Sequence, residues 1–189
     1  MPFQPSARRA RGTLRGESRQ VPEVTKVIYP EVSSPWFSDS WWRSVMEQFV
    51  PVKRSEDGQP VRYLIVDDSV FARKNLVRMV ESFGGQVVGE AGDGVSAISE
   101  YDRLTPDIVL MDITMPQMEG IEAAEKIVKD HPHARIVMVS SVGYQENIVA
   151  ALQRGARHFV QKPVNPEVLY EVIKYVMREE GARSASAGA

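Results

Sequence analysis

From Val61 onward the sequence repeats one pattern five times: a short, mainly apolar run, a polar turn, then a segment with apolar residues at helical spacing. The runs cover residues 62–66 (RYLIV), 86–91, 107–111 (DIVLM), 135–140 (RIVMVS) and 156–160. The helical segments cover residues 70–83, 95–101, 120–129, 145–154 and 167–178. In the first of these, Phe71, Leu76, Val77, Met79, Val80 and Phe83 keep the spacing, and Gly84 and Gly85 stop it. The apolar runs are continuous rather than alternating, which suits strands buried on both faces. Strands that alternate with helices need crossover connections, so the expectation is an α/β fold with a parallel sheet covered on both sides.

This pattern fills only part of the 189 residues. Residues 1–60 have a different character. The first 20 hold five Arg and one Glu and read as a flexible basic arm, while residues 53–60 (KRSEDGQP) read as a linker. Between them, Trp41, Trp42, Val45, Met46 and Phe49 fall on one face of a short amphipathic helix expected over residues 41–50, with Asp39 or Ser40 as its cap. Such a helix is too short to stand alone. It either packs back on the following domain, docks a partner or a second copy through residues 36–50, or stays disordered. The expected organisation is an extension over 1–60, a domain over 61–178 and a flexible tail over 179–189.

Composition narrows the function. Lys and Arg total 23 against 25 Asp and Glu, so the net charge of −2 sets aside a nucleic-acid polycation. The absence of cysteine removes disulfides, thiolate metal sites and Cys nucleophiles. No apolar stretch is long enough for a membrane span, and the N-terminus lacks the apolar core of a secretory signal.

The chemistry-bearing residues sit where an open α/β sheet places its ligands, past the C-terminal ends of strands. Asp67 and Asp68 follow the first strand and Asp112 follows the third. If those strands are neighbours, three carboxylates converge and repel, and a hard divalent cation such as Mg²⁺ relieves the repulsion. Lys162 follows the fifth strand and Ser140 ends the fourth. Each residue alone has a plainer reading: a helix cap for Asp67 and Asp68, a solvated Lys162, an ordinary strand-end hydroxyl for Ser140. Their conjunction at one sheet edge is what points to a site.

The segments LIVDDS, VLMDITMPQMEG, IVMVSSVG and GARHFVQKP, in that order, resemble the receiver domain of two-component response regulators, most closely the single-domain CheY-like chemotaxis type. The resemblance covers residues 61–178. It implies a flavodoxin-like (βα)5 doubly wound sheet with strand order 2-1-3-4-5. It implies that Asp112 is the phosphoacceptor and that Mg²⁺ is held by Asp68 directly, Asp67 through water, Asp112, and the main-chain carbonyl of Thr114. Lys162 would pair with the phosphoryl group. Ser140 would be the switch hydroxyl and Phe159 the switch aromatic, and the Lys162–Pro163 bond would be cis. Phe159 replaces the Tyr of many relatives and Val164 a frequent Phe.

The resemblance further implies a cytoplasmic protein that is not an enzyme in the usual sense, with slow Mg²⁺-dependent self-phosphorylation from small donors and slow self-dephosphorylation. Its expected partners are a sensor histidine kinase and a target, a flagellar motor-switch protein or another, contacted through residues 145–178. The alternative is a phosphorelay intermediate or phosphate sink in another pathway. About ten residues follow the fifth helix, so no DNA-binding output domain is expected. An aspartyl-phosphate hydrolase of the haloacid-dehalogenase kind would carry a second Asp two residues after Asp112, where this chain has Thr114.

Overall fold

A computed structural model describes residues 49–54, 57–141 and 145–186. Five strands form one parallel sheet: β1 (Arg62–Val66), β2 (Gln86–Ala91), β3 (Ile108–Met111), β4 (Ile136–Ser140) and β5 (His158–Gln161). Their order is β2-β1-β3-β4-β5, the expected one. Five helices connect or follow them: α1 (Val70–Ser82), α2 (Gly94–Leu104), α3 (Gly120–Asp130), α4 (Gln145–Gln153) and α5 (Pro166–Ser186).

The continuous apolar runs have a direct cause. β3 and β4 are buried at every residue and β1 at all but its first, whereas the edge strands β2 and β5 are only partly covered. One face packs on α1 and α5, through Leu76, Met79, Val80, Leu169, Ile173 and Val176. The other packs on α2, α3 and α4, through Ala97, Tyr101, Ile121, Ala124, Ile127 and Ala151. Each large aliphatic side chain buried this way contributes about 1.5–3 kcal/mol, so the central strands carry most of the stability.

Local signals set the helix ends. Ser69 caps α1 by accepting from Ala72 N at 3.3 Å, and Asp93 caps α2 by accepting from Val95 N and Ser96 N at 2.8 and 2.9 Å. At the end of α1, Gly84 turns left-handed (φ 77°) while Gly84 N donates to Glu81 O and Gly85 N to Val80 O. This closure uses up the last free carbonyls of the helix.

Two stretches depart from the sequence reading. Residues 49–52, from the expected extension, pack back on the domain, and residues 53, 54 and 57–60, expected as a flexible linker, form a largely exposed turn. The Phe49 ring lies 4.9 Å from that of Phe83 and 4.7 Å from that of Tyr170. Val52 N donates to Phe83 O at 3.0 Å, and the Tyr170 hydroxyl donates to Val50 O at 2.9 Å. A tight hairpin follows, with Arg54 N bonded to Gln59 O and an antiparallel bridge between Lys53 and Pro60. Phe49 and Val50 are not helical; the rest of the helix expected over 41–50, like residues 1–40, lies outside the described residues. At the other end α5 runs to Ser186, past the expected stop at 178, so backbone expected as tail is helical. Gly181 costs only about 1 kcal/mol in a helix interior, and the Ala and Arg around it favour the helix.

Candidate functional site

The sheet order puts the C-terminal ends of β1 and β3 side by side, pairing Val66 with Met111. The next residues are Asp67 and Asp112, and Asp112 N donates to Val66 O at 2.8 Å. The carboxylates of Asp67, Asp68 and Asp112 offer oxygens that all lie within 4.8 Å of one another. Asp67 is fully buried, Asp112 nearly so, and Asp68 is exposed.

Lys162, one residue past β5, reaches across the edge and bridges the two buried acids. Its Nζ donates to Asp67 Oδ2 at 2.6 Å and to Asp112 Oδ2 at 2.7 Å. Burial alone would push the Lys162 amine down, but its hydrogen bonds and charge pairing with Asp112 and Asp67 outweigh this and hold it above the ordinary lysine range. The Lys162–Pro163 peptide is cis. Lys162 N also donates to Ser140 O at 2.9 Å, which sets the lysine beside the end of β4, where Ser140 is buried.

The remaining contacts fix the acids in place. Asp67 Oδ1 accepts from Ser69 N at 2.9 Å, and Asp112 Oδ1 accepts from Ile113 N at 2.7 Å. Gly120 seals the loop after β3 by donating to Ile113 O at 2.8 Å; a Cβ there would sit 1.8 Å from Asp112 O, so only glycine permits this approach. Thr114 lies exposed on that loop. Phe159 does not join the carboxylates. It pairs with Met138 across the sheet and packs, half-buried, against the core on the α2–α4 face.

The donor set suits a small hard cation. Three carboxylates against one ammonium leave two negative charges uncompensated in a largely buried cleft, which one divalent ion neutralises. All the donors are oxygens, and Asp68 opens the cluster to solvent, which suits an ion that would keep several waters.

Sequence reasoning missed Arg73. It stands on the polar side of α1, yet its Nη1 donates to Asp67 O at 2.6 Å and reaches Asp68 O at 3.4 Å, while its Nε pairs with Glu90 Oε2 at 3.1 Å. Helical periodicity marks Arg73 as solvated and holds no signal for a side chain that folds back over the cap.

Residues 63–174 match the family model of the response regulator receiver domain. The chain belongs to that family. It is 42% identical over 117 residues to the chemotaxis protein CheY of Thermotoga maritima, covering 62% of this chain and 98% of that protein. It is 38% identical over 131 residues to CheY of Treponema pallidum, covering 68% and 91%. Among solved structures it resembles the CheX–CheY–BeF3–Mg²⁺ complex from Borrelia burgdorferi, with a TM-score of 0.64 and 34% identity, covering 66% of this chain and 94% of that one. Receiver domains are phosphoacceptors that bind Mg²⁺ at an acidic pocket, and the Asp67–Asp68–Asp112 cluster is consistent with one. Among the described residues no helix is long and apolar enough to cross a membrane.

Proposed function

We propose that this chain is a chemotaxis response regulator that accepts a phosphoryl group on Asp112 from a sensor histidine kinase and, so modified, changes its contacts with a target protein. The observation that carries the reading is the Lys162 bridge to Asp67 and Asp112 within a cluster of three carboxylates. The chemotaxis assignment rests on the CheY relatives.

An Asp112 carboxylate oxygen attacks phosphorus in line. The bond from phosphorus to the kinase imidazole nitrogen breaks, and that nitrogen leaves with the electron pair. Negative charge spreads over the three equatorial phosphoryl oxygens. Asp67, Asp68, Asp112 and the Thr114 carbonyl would hold Mg²⁺, which supplies neutralisation of that charge when bound. Lys162 supplies the other cation, already held against Asp67 and Asp112. Ser140 then donates its hydroxyl to a phosphoryl oxygen, and Phe159 turns toward the space this opens. The face over residues 145–178 repacks. Its exposed Val149, Leu152 and Tyr175 support a protein-contact role.

The test is acetyl phosphate with Mg²⁺, read by intact mass. The parent gains one phosphoryl group and Asp112→Asn gains none. A phosphorylated Asp112→Asn protein would overturn the assignment.

A further inference from the structure

The pocket is held by more than its own carboxylates. Asp67 is fixed on every side: its N–H donates to Ala91 O, Oδ1 accepts from Ser69 N, Oδ2 accepts from Lys162, and its carbonyl accepts from Arg73 Nη1 at 2.6 Å. Asp68 differs. Among the described residues no side chain holds its exposed carboxylate, and the one side chain reaching its peptide is Arg73, 3.4 Å from its carbonyl. Arg73 is itself aimed by a second residue, because Glu90 near the end of β2 holds Nε at 3.1 Å and leaves Nη1 free to grip the loop. The guanidinium fork suits this double task, since its donors are fixed relative to one another.

We infer that Arg73 and Glu90 are positioning residues for the divalent-cation site: Arg73 orients the Asp67–Asp68 peptide so that the Asp68 carboxylate faces the ion, and Glu90 keeps the Arg73 cation out of the acidic pocket. This rests on the reading of Asp67, Asp68 and Asp112 as the Mg²⁺ site. Glu90 has work beyond aiming. A guanidinium freed from it would be drawn toward the neighbouring carboxylates, where it would compete with Mg²⁺ for Asp68.

Charge and geometry predict opposite outcomes, which makes the inference testable. If Arg73 acted only as a nearby positive charge, its removal would tighten Mg²⁺ binding. If it positions the loop, its removal weakens binding, and groups that orient metal ligands typically contribute about 10–100-fold in affinity. The experiment is a Mg²⁺ titration of the full chain, followed by calorimetry and by the metal-induced rise in melting temperature, for the parent, Arg73→Ala, Arg73→Lys, Glu90→Gln and Asp68→Ala. The expected result is about tenfold weaker binding for Arg73→Ala. Arg73→Lys is also weaker, because one ammonium cannot hold Glu90 and both carbonyls, and Glu90→Gln is weaker by a smaller factor. Melting temperatures without metal show that each variant is folded. Unchanged or tighter binding in Arg73→Ala, with Asp68→Ala abolishing binding, would overturn the inference and leave the site intact. Unchanged binding in Asp68→Ala would overturn the site itself.

Discussion

Two regions of the domain are built on opposite physics. At the C-terminal edge of the sheet, two buried acids, one exposed acid and one lysine are crowded together. At the corner where residues 49–52 meet the end of α1 and the early turns of α5, the rings of Phe49, Phe83 and Tyr170 meet edge-on or tilted, with centroids 4.7–5.3 Å apart. The corner gains stability from apolar burial and holds no chemistry. The pocket holds the chemistry and is costly to build, because desolvating charges takes back much of what their pairing returns. The two regions therefore differ in what a substitution reaches: pocket variants should change metal binding as well as stability, and corner variants stability alone.

The largest effect tests the pocket. Lys162→Met removes the one cation shared by two buried carboxylates and leaves them facing each other. Breaking a buried pair this way costs on the order of 3 kcal/mol, measurable by urea unfolding in the presence of a chelator. Mg²⁺ should then stabilise the variant more than the parent, since the ion replaces the missing charge. A variant as stable as the parent without metal would mean that the acids relax apart, and the picture of a crowded pocket would be lost.

Phe49→Ala tests the corner. The ring is half-buried, so its loss should cost about 2 kcal/mol, below the 3–5 of a fully buried Phe. Its Mg²⁺ affinity should match the parent's. Because the ring partners of Phe49 (Phe83 and Tyr170) differ from the polar partners of Lys162 (Asp67, Asp112 and Ser140), their costs should add within about 0.5 kcal/mol in the double variant. A larger deviation would show that the two regions communicate.

The same contrast explains what could be read from the sequence. The alternation of apolar runs and helical spacing gave the sheet, because strands covered on both faces leave an unbroken apolar signature. Asp67, Asp68, Asp112, Ser140 and Lys162 were visible because sheet topology turns strand ends into neighbours. The corner was not. Phe49, Phe83 and Tyr170 come from three distant parts of the chain, and no local period links them, so residues 53–60 looked like a linker and the docked Phe49 like the end of a helix. Arg73 was hidden for a related reason: two of its partners are main-chain carbonyls, which carry no sequence identity, and the third, Glu90, lies on another element that no local period links to it. Gly120 reads simply as the start of a helix, although its missing Cβ is what lets the loop approach Asp112.

The smallest effect has the opposite sign and probes the aromatic side more finely. The Tyr63 ring lies against Gly85, just past the end of α1, and among the described residues its buried hydroxyl has no hydrogen-bond partner. Burial, with the negative charge of Asp107, holds that hydroxyl well above the ordinary tyrosine range. Tyr63→Phe removes the orphaned group without changing the ring, and should stabilise the domain by about 1 kcal/mol at neutral pH. The pH dependence fixes the sign. A group whose folded pKa is raised lends its full stability below the unfolded value, about 10 for tyrosine. As pH rises beyond that value the unfolded chain ionises first, so the parent loses up to about 1.4 kcal/mol per pH unit relative to the Phe variant. The advantage of Tyr63→Phe should therefore be flat from pH 6 to 9 and widen above pH 10, as followed by chemical denaturation. A destabilised variant, or a gap that does not widen in alkali, would mean that the Tyr63 hydroxyl finds a partner, as the Tyr170 hydroxyl does at Val50 O.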